Sequence, residues 1–339
     1  MEQTIRTNVG LDISKDTYWA TITVLSSSRG VKNLKSEEFK NNKTGFRMME
    51  KWIKKAAVST PELHFTMEAT GVYHESIAHY LHDKQHLVHI VLPNKAKKFA
   101  ESLDARSKTD KLDSKALGRL GAERNLTIWN PPSPVFKELK SVTRERAMFI
   151  HHRTQLKNNL HALKHSHNPN ETTLKRTEAM VKEFDKNVKS IENEIISLIK
   201  GSDELGKKIA FIVSIPGVGV ITAAIVVAET DGFSMIGNIR QLCSYAGLDL
   251  VIKESGKWKG QSKISKKGNS HIRAALYLPS LSTIKYSRQH RAFYDRIVDS
   301  KKKPKIGITA VSRKLLVLMY TLWKNEVKYE DKYLLKDAA

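Results

Sequence analysis

The run IRTNVGLDISKDTYWATITVLSSSRGVKNLKSEEFK, Ile5 to Lys40, decides the fold. Apolar and polar residues alternate in three short stretches, IRTNVGLDI, TYWATITVL and NLKSEEFK. The last two are separated by the turn-rich SSSRG, and the pattern predicts an antiparallel meander. Past Lys40 the chain alternates between periods. It reads as helix TGFRMMEKWIKKA, strand ELHFTMEA, helix YHESIAHYLHD, strand HLVHIVL, helix NKAKKFAESL and a further helix in KTDKLDSKALG.

Three antiparallel strands followed by this alternation have the order of a ribonuclease-H-like domain, an α/β mixed sheet covered by helices, expected over residues 1–129. The segment NPPSPV, Asn130 to Val135, breaks helical continuity with its prolines and marks a linker. Beyond it, Leu174, Val181, Phe184, Val188, Ile191, Ile195 and Leu198 recur as a heptad seam, and Val135, Leu139, Val142, Phe149, Leu156, Leu160 and Leu163 make a matching one. HSHNPN would join them as an antiparallel coiled-coil hairpin over 130–206, suited to dimerisation or spacing. Arg146 and Arg153 occupy core positions of the first seam; they read either as RNA or DNA contacts or as side chains snorkelling at the hairpin edge. A mainly α-helical domain over 207–339 opens on SIPGVGVITAA, which resembles a helix-hairpin-helix. There Gly217 and Gly219 would free backbone N–H groups to meet a phosphate. A plain glycine-containing helical turn is the alternative.

Lysine and arginine number 58 against 35 aspartates and glutamates in 339 residues, a formal charge of +23. Such a field draws polyanions and releases their counterions on contact, so nucleic acid is the expected partner. No basic amphipathic anchor stands out, which argues against a membrane. The run from Ile209 to Ala228 approaches the roughly 20 apolar residues that span a bilayer. Pro216, Gly217 and Gly219 interrupt it, so a buried helix, turn and second helix are expected. The single cysteine, Cys243, permits no internal disulfide and no thiol-based zinc cluster, which fits a reducing cytoplasm. Nothing in MEQTIRTNVG reads as an export signal.

Against this basic background, KTDKLDSKALG, Lys108 to Gly118, sets Asp110 and Asp113 on one helix face. In the strand order above, Asp12 lies on the first strand in GLDISKD and Glu68 ends the fourth in TMEATG. Four converging carboxylates would repel one another unless hard divalent cations, Mg2+ above all, lay between them. Two such ions about 4 Å apart clamp the attacking and leaving oxygens of phosphoryl transfer. Each acid also has a structural reading: Asp110 in a capping box begun by Ser107, Asp113 as a solvated i,i+4 partner, Asp12 as a strand-end turn residue. Asp16 and Asp104 read as surface charges. His161 and His165 have metal-like spacing but no acidic or thiol ligand close in sequence.

The motifs GLDISKD, MEATGVY, KTDKLDS, SIPGVG, YAGL, KESGKWKGQSKISKKGNSHIRAALY and AFYDRI follow in order across almost the whole chain. In this the chain resembles the DEDD transposases of the bridge-RNA-guided insertion-sequence family one-ten, and the related site-specific DNA invertases. The resemblance implies a RuvC-like N-terminal domain, a coiled coil and a C-terminal transposase domain. It implies metal ligands at Asp12, Glu68, Asp110 and Asp113, and a nucleophile at Ser255 that forms a covalent 5'-phosphoserine link to DNA. It also implies double-stranded donor and target DNA, a guide RNA encoded by the element, and dimers assembling to a tetramer with carboxylates from one protomer and serine from another. Ser114 stands where alanine is commoner in that family.

From the residues alone, Ser255 precedes Gly256 in a loop continuing through Lys257, Lys259, Lys263, Lys266, Lys267 and Arg273, with no acid from Lys257 to Arg273. Such a loop would be drawn onto a phosphate backbone. An ordinary Gly-Ser turn in a DNA-facing loop is the alternative, and Ser244, Ser262, Ser265 and Ser270 are the other hydroxyls. Ser265 is assigned to DNA binding, with a helix cap as its rival role. The chain is thus expected to cut and rejoin DNA as a transposase. An invertase with the same chemistry and no guide RNA, and a non-catalytic nucleic-acid-binding protein of the same fold, stay open.

Overall fold

The computed structural model describes residues 3–28, 30–56, 62–69, 71–103, 107, 109–252, 254–255, 258–260 and 263–330. The chain divides into two compact units that part between Pro131 and Pro132.

The first unit is built on one sheet of β1 (Thr4–Ile13), β2 (Thr17–Ser26), β3 (Val31–Lys40), β4 (Leu63–Glu68) and β5 (Leu87–Val91), in the order β3-β2-β1-β4-β5. The meander β1–β2–β3 is antiparallel, whereas β4 runs parallel to β1 and β5 parallel to β4. Parallel neighbours need crossover connections. α1 (Lys43–Lys55) and α2 (Glu75–Asp83) supply them, and α3 (Pro93–Glu101) and α4 (Asp110–Glu123) follow. Asn42 stops β3 and starts α1, its side chain accepting from the Gly45 amide.

The two faces of the sheet are packed differently. On one, Val9, Leu11, Phe65, Met67 and Val88 meet Phe46, Met49 and Ile53 of α1 and Ile77, Ala78 and Leu81 of α2 in an apolar core. The other carries Asn8, Gly10, Thr21, Thr23 and Thr66 and is covered by α4. There Asn8 Nδ2 donates to the Gly118 carbonyl at 3.0 Å, and the Thr66 hydroxyl donates to Asn8 Oδ1 at 2.9 Å. Ser114 and Thr21 join hydroxyls at 2.7 Å. This buried layer is polar yet hydrogen-bonded, so it carries no desolvation penalty for unpaired groups. The serine at position 114 thereby has a partner that an alanine would lack.

Among the described residues the second unit is helical apart from four short strands. α5 (Pro134–Lys164) and α6 (Glu171–Lys200) form a long hairpin, with Pro134 as the first residue of α5 rather than its breaker. Then come α7 (Asp203–Val213), α8 (Val220–Glu229), α9 (Ile239–Tyr245), β6 (Leu250–Val251), β7 (Glu254–Ser255), β8 (Trp258–Lys259) and β9 (Lys263–Ile264). α10 (Ser270–Tyr286), α11 (Arg288–Lys301) and α12 (Pro304–Asn325) complete it. The root of the long hairpin, Leu139, Val142, Ile191, Ile195 and Ile199, shares one core with α7, α8, α9, α10 and α12. Ile199 joins the buried stripe beside the expected Leu198, because at the root the helix meets the bundle as well as its own partner.

Farther out, the seam turns ionic. Arg146 donates to Glu192 through Nε at 2.8 Å, and Arg153 pairs with Asp185 at 2.8 Å. The two seam arginines are therefore matched to acids across the hairpin. Among the described residues α12 is the one helix long and apolar enough to cross a membrane by length and composition, yet its Val311, Leu315, Leu316 and Met319 are buried in the core.

Candidate functional site

The carboxylates are placed by register. Leu11 of β1 pairs with Met67 of the parallel strand β4, so Asp12 and Glu68 are the next residues on adjacent strands. Alternation puts them on the face of Asn8, Gly10 and Thr66, the face that α4 covers. α4 crosses that face with Gly121 beside Asn8 and Thr66, Gly118 and Ser114 against Gly10, and its N-terminus toward the Asp12 end. Thr109 is its N-cap, the hydroxyl accepting from the Leu112 amide at 3.3 Å, so Asp110 is the first helical residue and no capping box runs from Ser107. Asp110 lies one turn ahead of Ser114, and Asp113 shares that first turn, where negative charge also suits the helix dipole. Lys111 adds a cation over Trp19, the residue paired with Asp12, with Nζ 5.4 Å from the ring centroid.

Asp12, Glu68 and Asp113 are half-buried and Asp110 is exposed. The topology thus sets Asp12 and Glu68 on adjacent strands at the end of the sheet face toward which the N-terminal turn of α4, with Asp110 and Asp113, lies. Among the described residues no three His, Cys, Asp or Glu side chains stand close enough to form a ready metal cage. The donor set itself, carboxylate oxygens alone, is that of a hard divalent cation such as Mg2+. Asp16 is exposed between β1 and β2, and Asp104 lies outside the described residues.

Ser255 does not sit in an irregular loop. It is exposed at the end of β7 and pairs with Trp258 of β8, while Leu250 and Val251 of β6 pair with Ile264 and Lys263 of β9 below it. Ser255 thus lies in the second of two short antiparallel ladders, β6 with β9 and β7 with β8. The sequence signal for it was the two-residue interval holding Gly256 between Ser255 and Trp258. Lys263, Lys266 and Lys267 are exposed along the returning strand and its continuation. Lys257 lies outside the described residues, as does the side chain of Lys259.

Ser265, Arg273 and Gly217, three of the other nucleic-acid-binding candidates, are engaged within the fold. The Ser265 hydroxyl donates to the Asp249 carboxylate at 2.5 Å. Arg273 Nη1 donates to the carbonyls of Ala246, Gly268 and Asn269 at 2.8, 3.0 and 3.2 Å. Gly217, at φ +88°, lies so close to α10 that a β-carbon would come within 2.7 Å of the Thr283 amide nitrogen. Gly219, the N-cap of α8, faces open space.

One group escaped the sequence reading altogether. Glu229 ends the apolar α8 with a fully buried side chain and is met by Arg144, Lys140 and Asn269. A lone acid closing VITAAIVVAE is the signal that could have found it, since a carboxylate there requires partners.

A transposase family model of the DEDD IS110 type matches residues 9–169, and a second, described as transposase IS116/IS110/IS902 family, matches residues 210–295. The pilin gene-inverting protein of Moraxella bovis is 29% identical over 334 residues, 96% of this chain and 98% of that protein. Its counterpart from Moraxella lacunata is 28% identical over 333 residues, again 96% and 98%. An insertion element IS900 uncharacterized 42 kDa protein of Mycobacterium paratuberculosis is 29% identical over 119 residues, 35% of this chain and 30% of that protein.

Proposed function

The chain belongs to the IS110 family of transposases and related invertases, and on that premise we propose that it cuts and rejoins DNA through a covalent 5'-phosphoserine at Ser255. The observation that carries this reading is the placement of Asp12 and Glu68 on adjacent strands of the β3-β2-β1-β4-β5 sheet, at the end toward which the first turn of α4 lies. An exposed serine at the tip of a lysine-flanked hairpin supports the second half.

The chemistry assigns each group a task. The Ser255 hydroxyl attacks a backbone phosphorus, the P–O3' bond breaks, and the serine proton and the departing 3'-oxygen end as a free 3'-hydroxyl. A second 3'-hydroxyl then attacks the phosphoserine and its P–O bond to serine breaks, which restores the serine O–H. One ester replaces another, so no nucleotide cofactor is consumed. Asp12, Glu68, Asp110 and Asp113 would hold Mg2+, which when bound polarises the phosphate and stabilises charge on the attacking and leaving oxygens. Lys263, Lys266 and Lys267 would track the DNA backbone. The long α5–α6 hairpin, read as a coiled coil, would join protomers into dimers and a tetramer. The three functional segments are 1–129, 130–206 and 207–339, in a cytoplasmic protein.

Two variants of this function differ in partner. A guide RNA encoded by the element makes the protein a transposase. Relatives named for pilin gene inversion, aligned along 96% of the chain, favour a site-specific invertase. Sequencing the nucleic acid that copurifies with the protein separates them. A discrete structured RNA supports the guided reaction, whereas only length-random RNA lost at high salt supports the invertase. A Ser255→Ala protein that still recombines DNA would refute both.

A further inference from the structure

The Glu229 side chain meets one foot of the Ser255 segment at Asn269, and its backbone carbonyl meets the other at Tyr245. The Glu229 side chain has no exposed surface. Arg144 of α5 forks onto it, Nε to Oε1 at 2.8 Å and Nη2 to Oε2 at 3.0 Å, and Asn269 Nδ2 donates to Oε2 at 2.7 Å. The Tyr245 hydroxyl donates to the Glu229 backbone carbonyl at 2.8 Å. Burial pushes the Glu229 carboxyl up, but hydrogen bonds from Arg144 and Asn269 outweigh it and hold the group below its usual range.

Tyr245 and Asn269 are the points where the chain leaves the helical body for the hairpin and returns to it. A ladder of backbone bonds rises between them. The Asn269 amide donates to the Tyr245 carbonyl at 2.7 Å, Lys266 to Gly247 at 3.1 Å, and Ser265 to Asp249 at 2.9 Å. Leu250 then pairs with Ile264, and the serine-bearing strands continue from there. Asn269 Oδ1 meanwhile caps α10 by accepting from the amides of His271 and Ile272. A buried ion pair of this kind contributes little net stability compared with apolar packing, but it fixes direction.

We propose that Glu229, held by Arg144 and Asn269, is a positioning residue for the Ser255 reaction, locking both feet of the hairpin to α5 and α8 so that the hydroxyl meets DNA in one geometry. This rests on Ser255 as nucleophile. The test uses the full chain and measures single-turnover formation of recombinant DNA beside DNA affinity and melting temperature. Asn269→Asp keeps the α10 cap but sets a second carboxylate against Glu229, and should slow product formation about 100-fold with DNA affinity retained. Glu229→Gln, the milder change, should slow it about tenfold. Asn269→Ser keeps an oxygen to cap α10 but withdraws the donor to Glu229, and should also slow the reaction about tenfold. Measured well below the melting temperature, where every variant is folded, a residue that merely supported the core would lower the melting temperature and leave the rate unchanged.

Unchanged product from Glu229→Gln and Asn269→Asp overturns the proposal, and so does a loss of rate that merely follows a loss of folded protein. If Asn269→Asp does not fold, the rates of Glu229→Gln and Asn269→Ser still decide. Ser255→Ala separates the two ideas. Product from Ser255→Ala, with the other variants behaving as expected, removes the nucleophile and keeps the lock. No product from Ser255→Ala, with Glu229→Gln and Asn269→Asp at full rate, removes the lock and keeps the nucleophile.

Discussion

Gly10 of β1 and Gly118 of α4 meet backbone against backbone: a β-carbon on Gly10 would stand 2.1 Å from the Gly118 amide nitrogen and 2.1 Å from the Ser114 carbonyl oxygen. That approach sets how deep α4 lies on the sheet, and with it where the first-turn acids stand relative to Asp12 and Glu68. Gly10→Ala should force the helix outward, lower stability by roughly 1–3 kcal/mol and abolish strand cleavage. Melting measured beside cleavage checks this. A Gly10→Ala protein that melts and cleaves as before would show that the contact does not govern the site.

The carboxylates should act on chemistry and not on binding. Asp12→Asn, Glu68→Gln, Asp110→Asn and Asp113→Asn are each expected to abolish cleavage while DNA affinity survives, because each would withdraw a carboxylate from the proposed Mg2+ site and leave the apolar core intact. Asp16→Asn, in an exposed turn, should be nearly silent. Cleavage in Mg2+ and a mobility-shift titration give the comparison. Normal recombination by Asp110→Asn or Asp113→Asn would take α4 out of the assignment.

Arg146 should matter to the hairpin and not to nucleic acid. It is bonded to Glu192 and mostly shielded, with 20% of its side chain exposed. Arg146→Ala should therefore lower the melting temperature and leave the salt dependence of DNA binding unchanged. A phosphate contact would instead reduce that slope by about 1.

His64 and His89 make the first unit acid-sensitive. Their rings stack 5.2 Å apart, with Nδ1 of His64 2.9 Å from Nε2 of His89. Burial, then the neighbouring His89 and Arg6, push His64 down to about 4, and burial lowers His89 as well. The unfolded chain takes up the His64 proton at about pH 6.5, while the folded unit does so only at about 4, so stability falls as pH drops through that window, and the lowered His89 acts in the same direction. Melting followed across it should show the slope, and His64→Gln should flatten it. An equal slope in that variant would place the sensitivity elsewhere.

The elements of the first unit were legible because their periods are long and their ends marked. β1, β2 and β3 each run 10 residues, and Asn42 announces α1. The placement of Asp12 beside Glu68 followed from reading the order of elements as a ribonuclease-H-like sheet. What stayed hidden was decided by partners distant in sequence. The heptad pattern put Arg146 on the inner seam but could not reveal Glu192 opposite it, nor could the basic run around Arg273 reveal the three carbonyls that occupy one of its nitrogens. The Ser255 hairpin was missed because its strands are two residues long, too short for alternation to register.

Covalent trapping on a nicked target tests the central claim most directly. After denaturation and digestion, the DNA-linked peptide is mapped by mass spectrometry in the unsubstituted protein and in Ser255→Ala. One phosphoserine adduct is expected at Ser255 through a 5'-phosphate, absent from Ser255→Ala although that protein still binds DNA. Efficient cleavage by Ser255→Ala with no adduct on any residue would contradict it, since the strand would then be cut by water.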